Sequence, residues 1–161
     1  MILRGEEVVE LRPWQKSALV RSRREIDGIF LEALGGRGKT IATMGIIQDK
    51  KAERVLILNN KTAILNGWEK DAEELNLGYP VAFTVKTDKW LRSKANALRE
   101  AEKGLKTLRK KIGVRKLYRQ NPKYVELHEN VKQLRAELDY DVLVIDEWQD
   151  MCSNQTCKYY L

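Results

Sequence analysis

The sequence predicts an α/β fold, a mainly parallel sheet with helices on both faces and an inserted helical hairpin. Three observations carry that expectation. Short continuous apolar runs alternate with stretches of helical spacing, the pattern of parallel strands buried on both sides. A glycine-rich stretch stands between the first apolar run and the helix-like segment after it. A strongly basic segment with heptad-like spacing interrupts the alternation late in the chain.

Taken in order, LRPWQKSALVRSRRE (Leu11–Glu25) predicts a helix whose first turn holds Pro13, a position where the missing N–H costs nothing. GIFLEAL (Gly28–Leu34), RVLILN (Arg54–Asn59), PVAFTV (Pro80–Val85) and DVLVID (Asp141–Asp146) predict four strands, each bounded by turn residues. KTIATMGIIQD (Lys39–Asp49) and AILNGWEKDAEEL (Ala63–Leu75) predict the helices between them. With 161 residues, the chain is the size of about one domain and can bury a substantial core. Trp68 and Trp90 have apolar neighbours, so core packing is the expected role for each, with stacking on nucleobases the alternative.

The basic segment forms an arm over residues 88–138, between the third and fourth strands. Leu91, Leu98, Leu105 and Ile112 recur every seven residues, with Ala101 and Leu108 between them, and Tyr124, Leu127, Val131, Leu134 and Leu138 step by three and four. Both stretches predict helices with narrow apolar seams. Asn121 and Pro122 in RQNPKY are placed to cap and start the second helix, folding the pair back as an antiparallel hairpin. Gly104 and Gly113 weaken the first helix and leave its end open.

The net charge of +7 is concentrated in this arm: Lys86 to Glu137 holds 16 Lys/Arg against 6 Asp/Glu, and the rest of the chain is net acidic. Such a field attracts a polyanion, nucleic acid first, although a solvated lysine-rich face has the same composition. Two cysteines, Cys152 and Cys157, exclude a disulfide framework and fit a reducing cytoplasm. CSNQTC with the lone His128 lacks the ligand count of a zinc site. No apolar run is long enough for a membrane span, and the acids in MILRGEEVVELRPW break any secretory signal.

The chemistry lies in the loops. In LEALGGRGKT, Gly35, Gly36 and Gly38 can take left-handed backbone angles and turn successive N–H groups inward around phosphate oxygens, ahead of a helix N-terminus. Lys39 would reach the β- and γ-phosphates, and the Thr40 hydroxyl would ligate Mg²⁺. Arg37 in the same loop would lie near the ribose or phosphates, or face solvent. In VLVIDEWQD an apolar strand delivers Asp146 to the sheet's C-terminal edge to hold the Mg²⁺ shell, and Glu147 follows where a base would orient the attacking water.

With both boxes in place the chain resembles the first RecA-like domain, a P-loop NTPase fold, of the superfamily 2 helicases and translocases. ALGGRGKT (Ala33–Thr40) is similar to that family's phosphate loop and DEWQ (Asp146–Gln149) to its DEx box. LRPWQ (Leu11–Gln15) is similar to the upstream motif whose glutamine reads adenine, which implies Gln15 as the ATP specificity residue. GKTIATMGII and VLILNNKTAILNGWEKDAEEL are similar to the chromatin-remodeller-like and phage-encoded branch. The family's backbone-contacting loop carries over to Lys61 and Thr62, with Asn60 where a proline is usual, and Trp148 stands where a small residue is common.

The resemblance implies ATP and Mg²⁺ as cofactors, DNA more readily than RNA as partner, and a bacterial or phage-infected cytoplasm. It also implies a second RecA-like domain of the same polypeptide, absent from these 161 residues, which makes a partial helicase the expectation, with a naturally short protein next. Since an arginine finger is worth about 10³–10⁵ in rate, the chain alone is expected to bind ATP and hydrolyse it slowly. Two other classes stay open: a nucleotide-binding regulatory or interaction module with a coiled-coil arm, and a small phosphoryl-transfer kinase, in which the DEWQ box has no evident role.

Overall fold

A computed structural model describes residues 2–24, 31, 36–113, 118 and 120–146. The expected strand at Gly28–Leu34, apart from Leu31, lies outside them, as do Gly35, Glu147, Trp148, Gln149 and both cysteines. The described residues divide into two compact units, one built from residues up to Thr87 and from residues 140–146, the other from Asp88–Asp139.

In the first unit, strands β1 (Leu3–Arg4) and β2 (Glu7–Val8) lead into helix α1 (Pro13–Ser22). After the glycine-rich stretch come α2 (Lys39–Lys50), β3 (Arg54–Leu58), α3 (Thr62–Glu74), β4 (Leu75–Asn76) and β5 (Ala82–Lys86), and β6 (Val142–Ile145) follows the second unit. Strands β5, β3 and β6 form a parallel sheet in that order. The sequence expectation of a parallel sheet is met in these three strands, each shifted or trimmed at its ends. Pro80 has no N–H to give a ladder, and the first β5 amide to bond across is that of Ala82, to Glu53 O.

Register places Val55 beside Phe83 and Val142, and Ile57 beside Val85 and Val144. These residues share one face of the sheet and pack with Met44 and Ile47 of α2 and Trp68 of α3. Leu56 and Leu58, on the opposite face, are buried as well. Strand β3 is therefore covered on both sides, which explains why RVLIL carries no polar alternation.

A second, antiparallel sheet, ordered β2-β1-β4, has no periodic signal in the sequence. Its strands are two residues long, too short for a period of two to register. Leu75, expected at the end of a helix, instead belongs to β4 and packs into the core beside Ile2 and Leu77. Helices α1 and α2 meet at Gly45, where an added Cβ would lie 2.9 Å from the Leu19 side chain. The Arg23–Asp49 ion pair and the Lys50 Nζ bond to Ser22 O close the same pair of helices.

At the start of the parallel sheet, the Asp141 carboxylate accepts from the backbone N–H groups of Glu53 (2.7 Å) and Arg54 (2.9 Å). The amides of Arg54 and then Glu53 hold this carboxyl below its ordinary range. A carboxyl depressed in the folded state stabilises above its unfolded pKa of about 3.9 and loses that contribution as pH falls through the folded value. Asp141→Ala is expected to lower the denaturant midpoint at pH 7, and the difference from the parent chain should shrink below about pH 3. A difference independent of pH would assign the loss to something other than the charged cap.

In the second unit, α4 (Asp88–Ile112) and α5 (Pro122–Glu137) pair antiparallel. Lys94 bonds Glu137, Arg135 bonds Glu102, and Arg109 donates to the Tyr124 hydroxyl. Ala101, Leu105, Tyr124, Val131 and Leu134 form the buried seam, flanked by Leu98, Leu108, Ile112 and Leu127. Leu138, expected in the seam, is instead the C-cap residue of α5. Asn121 caps α5 through its side chain, which accepts from the Tyr124 amide, and Pro122 opens the helix. Gly104 stays helical and lets Leu127 approach to 3.2 Å of where a Cβ would stand, whereas Gly113, at φ +70°, follows the end of α4.

Candidate nucleotide-binding site

Helix α2 ends in a short turn, residues 51–53, and packs on β3 through Met44 and Ile47. It therefore runs back along that strand, and its N-terminus lies at the sheet edge where the strands end. The C-terminal ends of β3 and β6 are bonded side by side there, with Asp146 N donating to Leu58 O. Lys39 and Thr40, the first two residues of α2, thus share one edge with Asp146, and Lys61 and Thr62 at the start of α3 belong to the same edge.

The turn into α2 is built on left-handed backbone: Gly36 has φ +69° and Gly38, the N-cap residue, φ +88°. These angles suit glycine and cost other residues strain. No side chain caps α2 and its first turn holds no acid, so its leading N–H groups keep their capacity for an anion. Helix α3 has the same character, with no side-chain cap and no acid in its first turn. Two positive helix ends therefore point to one edge. Lys39 forms no ion pair with any described residue. The turn, the uncapped helix and the lysine are the donor set that a polyphosphate requires.

Gln15 is bonded at both ends of its amide. Its Oε1 accepts from Arg12 N (2.7 Å) and its Nε2 donates to Gly38 O (2.8 Å), in a side chain only 3 % exposed. A Cβ at residue 38 would stand 2.7 Å from that Nε2, a second reason for glycine there. Arg12 adds a bond from its guanidinium to Arg37 O at 3.4 Å, and Arg37 itself is exposed. The upstream LRPWQ segment and the glycine-rich turn, separated in sequence, are thus in direct contact.

At the strand edge, the Asp146 carboxylate accepts from the Trp68 indole N–H at 2.8 Å, and its carbonyl from Asn59 Nδ2 at 3.3 Å. Asn59 also accepts from the Lys61 amide at 2.7 Å, fixing the exit of β3 into α3. Trp68 is 5 % exposed, so the expected core role holds, with a polar contact to the acid added. Neither Asn59 nor the Trp68 indole was singled out for this position by sequence reading. The available signal was a lone amide closing an otherwise apolar strand, RVLILN, since a buried polar side chain demands partners. Glu147 lies outside the described residues.

Among the described residues no helix is long and apolar enough to cross a membrane, and no cluster of metal-ligating side chains is present. A family model described as type III restriction enzyme, res subunit, matches residues 8–153. No curated protein and no solved structure matches the chain.

Proposed function

The chain belongs to the type III restriction enzyme res-subunit family, a superfamily 2 helicase-like group, and from that membership we propose that it is the ATP-binding motor domain of a DNA helicase or translocase. The observation that supports this most is the left-handed Gly36–Gly38 turn running into an uncapped α2 that begins Lys39-Thr40, at the edge where Asp146 ends β6. A RecA-like fold, in which two such domains close on one nucleotide, gives this donor-rich edge a role.

In this reading the amides of the Gly35–Gly38 turn and the first turn of α2 hold the phosphates. Lys39 brings its charge to the terminal phosphate, where negative charge builds during transfer. Mg²⁺, when bound, neutralises the β- and γ-oxygens. The Thr40 hydroxyl and Asp146 would hold it, with the Trp68 indole fixing the orientation of the Asp146 carboxylate. Glu147 orients the water, and Gln15, whose buried amide is bonded to Arg12 N and Gly38 O, would exchange those bonds to read the adenine edge. Lys61 and Thr62 meet the nucleic-acid backbone at the N-terminus of α3. A second RecA-like domain supplies the arginine finger and turns hydrolysis into movement.

Ligand-linked stability tests the reading on this chain as it stands. ATP with Mg²⁺ at about 100 times its dissociation constant should stabilise the fold by about 2.7 kcal/mol, read as a rise in Tm. GTP at equal concentration should raise it less if Gln15 selects the base. An unchanged Tm in millimolar ATP would overturn the proposal.

A further inference from the structure

Helix α4 carries most of the net positive charge of the second unit, with Arg115, Lys116 and Arg119 in the segment after it, and four of its bases fall on one face. Helix α4 carries nine Lys/Arg against three acids, whereas α5 carries three of each. At 100° per residue, Arg99, Lys103, Lys106 and Lys110 fall on a single stripe nearly opposite the seam of Leu98, Ala101, Leu105 and Ile112 that meets α5. All four are exposed. The stripe spans twelve residues, eleven steps of about 1.5 Å each, about 16 Å in all.

Lys103, Lys106 and Lys110 form no ion pair with a described residue. Of the acids on α4, Glu102 bonds Arg135, Asp88 bonds Arg92 and Glu100 forms no ion pair with a described residue, while Glu137 of α5 bonds Lys94. A lysine row that only solubilised a hairpin would be interspersed with acids to form i,i+4 pairs, as Lys132 and Glu129 do at a spacing of three on α5. Here like charges recur at i, i+3 and i+7 instead, which repel one another by a few tenths of a kcal/mol per pair until an external anion relieves them.

We propose that this outward face of α4 is a nucleic-acid binding surface, a track for the phosphate backbone separate from the Lys61–Thr62 loop. Its partner is a polyanion with charges repeated along a line: 16 Å covers about five steps of a strand rising 3.4 Å each. Lysine heads on flexible stems engage phosphates as point charges without base recognition, so binding is independent of sequence. The inference rests on charge placement in the second unit and not on the nucleotide reading.

The test is binding of the full chain, without nucleotide, to fluorescent duplex DNA, single-stranded DNA and duplex RNA over a salt series. Lys103→Gln, Lys106→Gln and Lys110→Gln together keep helix propensity and remove three charges. They should weaken binding at least tenfold and make the slope of log K against log[salt] shallower by about 2–3, since each phosphate contact on duplex DNA contributes about 0.9. Lys70→Gln, Lys123→Gln and Lys132→Gln remove the same net charge elsewhere and should change affinity less than threefold. Circular dichroism and Tm matching the parent verify that both variants are folded. Equal losses in the two triple variants would reduce the effect to net charge and overturn the proposal, as would a parent chain that binds none of the three nucleic acids at low salt. ATP-linked stabilisation, measured separately, would be untouched by either result. The ranking of the three probes identifies which form of nucleic acid the track takes.

Discussion

Lys39→Ala is expected to weaken ATP binding by about 10- to 100-fold, the equivalent of losing a charge-assisted bond of about 1.5–3 kcal/mol, while leaving the fold as stable as before or slightly more so. The two effects have opposite signs because of where the lysine stands. It is the first residue of α2, beside the positive end of the helix dipole, where a cation is disfavoured by about 0.3–1 kcal/mol. It forms no ion pair with a described residue to offset this. Isothermal titration with ATP and Mg²⁺ gives the affinity, and denaturant unfolding gives the stability. Unchanged affinity would remove Lys39 from the site, and a large loss of stability would make it a structural residue.

Trp68 is the second position with a large expected effect, and two substitutions divide its roles. Trp68→Ala should cost about 3–5 kcal/mol, the usual range for emptying a buried aromatic site, because the ring packs among Ile57, Met44 and Ile47. Trp68→Phe keeps most of that packing and removes the indole donor to Asp146, with an expected cost of about 1–3 kcal/mol. Equilibrium unfolding of both variants measures the split. If the Phe variant is as stable as the parent, the indole–carboxylate bond contributes nothing net, and the orientation of Asp146 must be set by other contacts.

The parallel strands were legible as unbroken apolar runs: burial on both sides leaves RVLIL without polar alternation, and VLVI is apolar throughout although Leu143 is 42 % exposed. The hairpin was legible for the complementary reason, a narrow seam on otherwise charged helices, with Asn121-Pro122 marking the second start. The β2-β1-β4 sheet was not, since pairs such as Leu3–Asn76 and Leu3–Val8 are fixed by neighbours and leave no local period. Within the site, glycines and the lysine announce themselves by type and spacing. The contacts that hold the site together do not: the bonds of Gln15 to Gly38 and of Trp68 to Asp146 join residues 23 and 78 positions apart, and a single sequence carries no record of such pairings. Gln15 entered by resemblance alone, and its doubly bonded, buried amide gives it a physical reason to be there.

The Lys94–Glu137 bond near the base of the helical pair bears on how readily the parallel sheet can form. Strand β6 can join β3 only after the chain has travelled from Asp88 to Asp139 and returned. For a flexible segment of about fifty residues, closure would cost roughly 2 kcal/mol more than for a four-residue loop. Two helices that pair along their length bring the ends of the segment together through contacts of their own, so the excursion is closed by the hairpin and not by the sheet alone. The effective contact order of the β3–β6 pairing is then that of a short connection, and length added at the hairpin's tip adds little to the entropy the sheet must overcome.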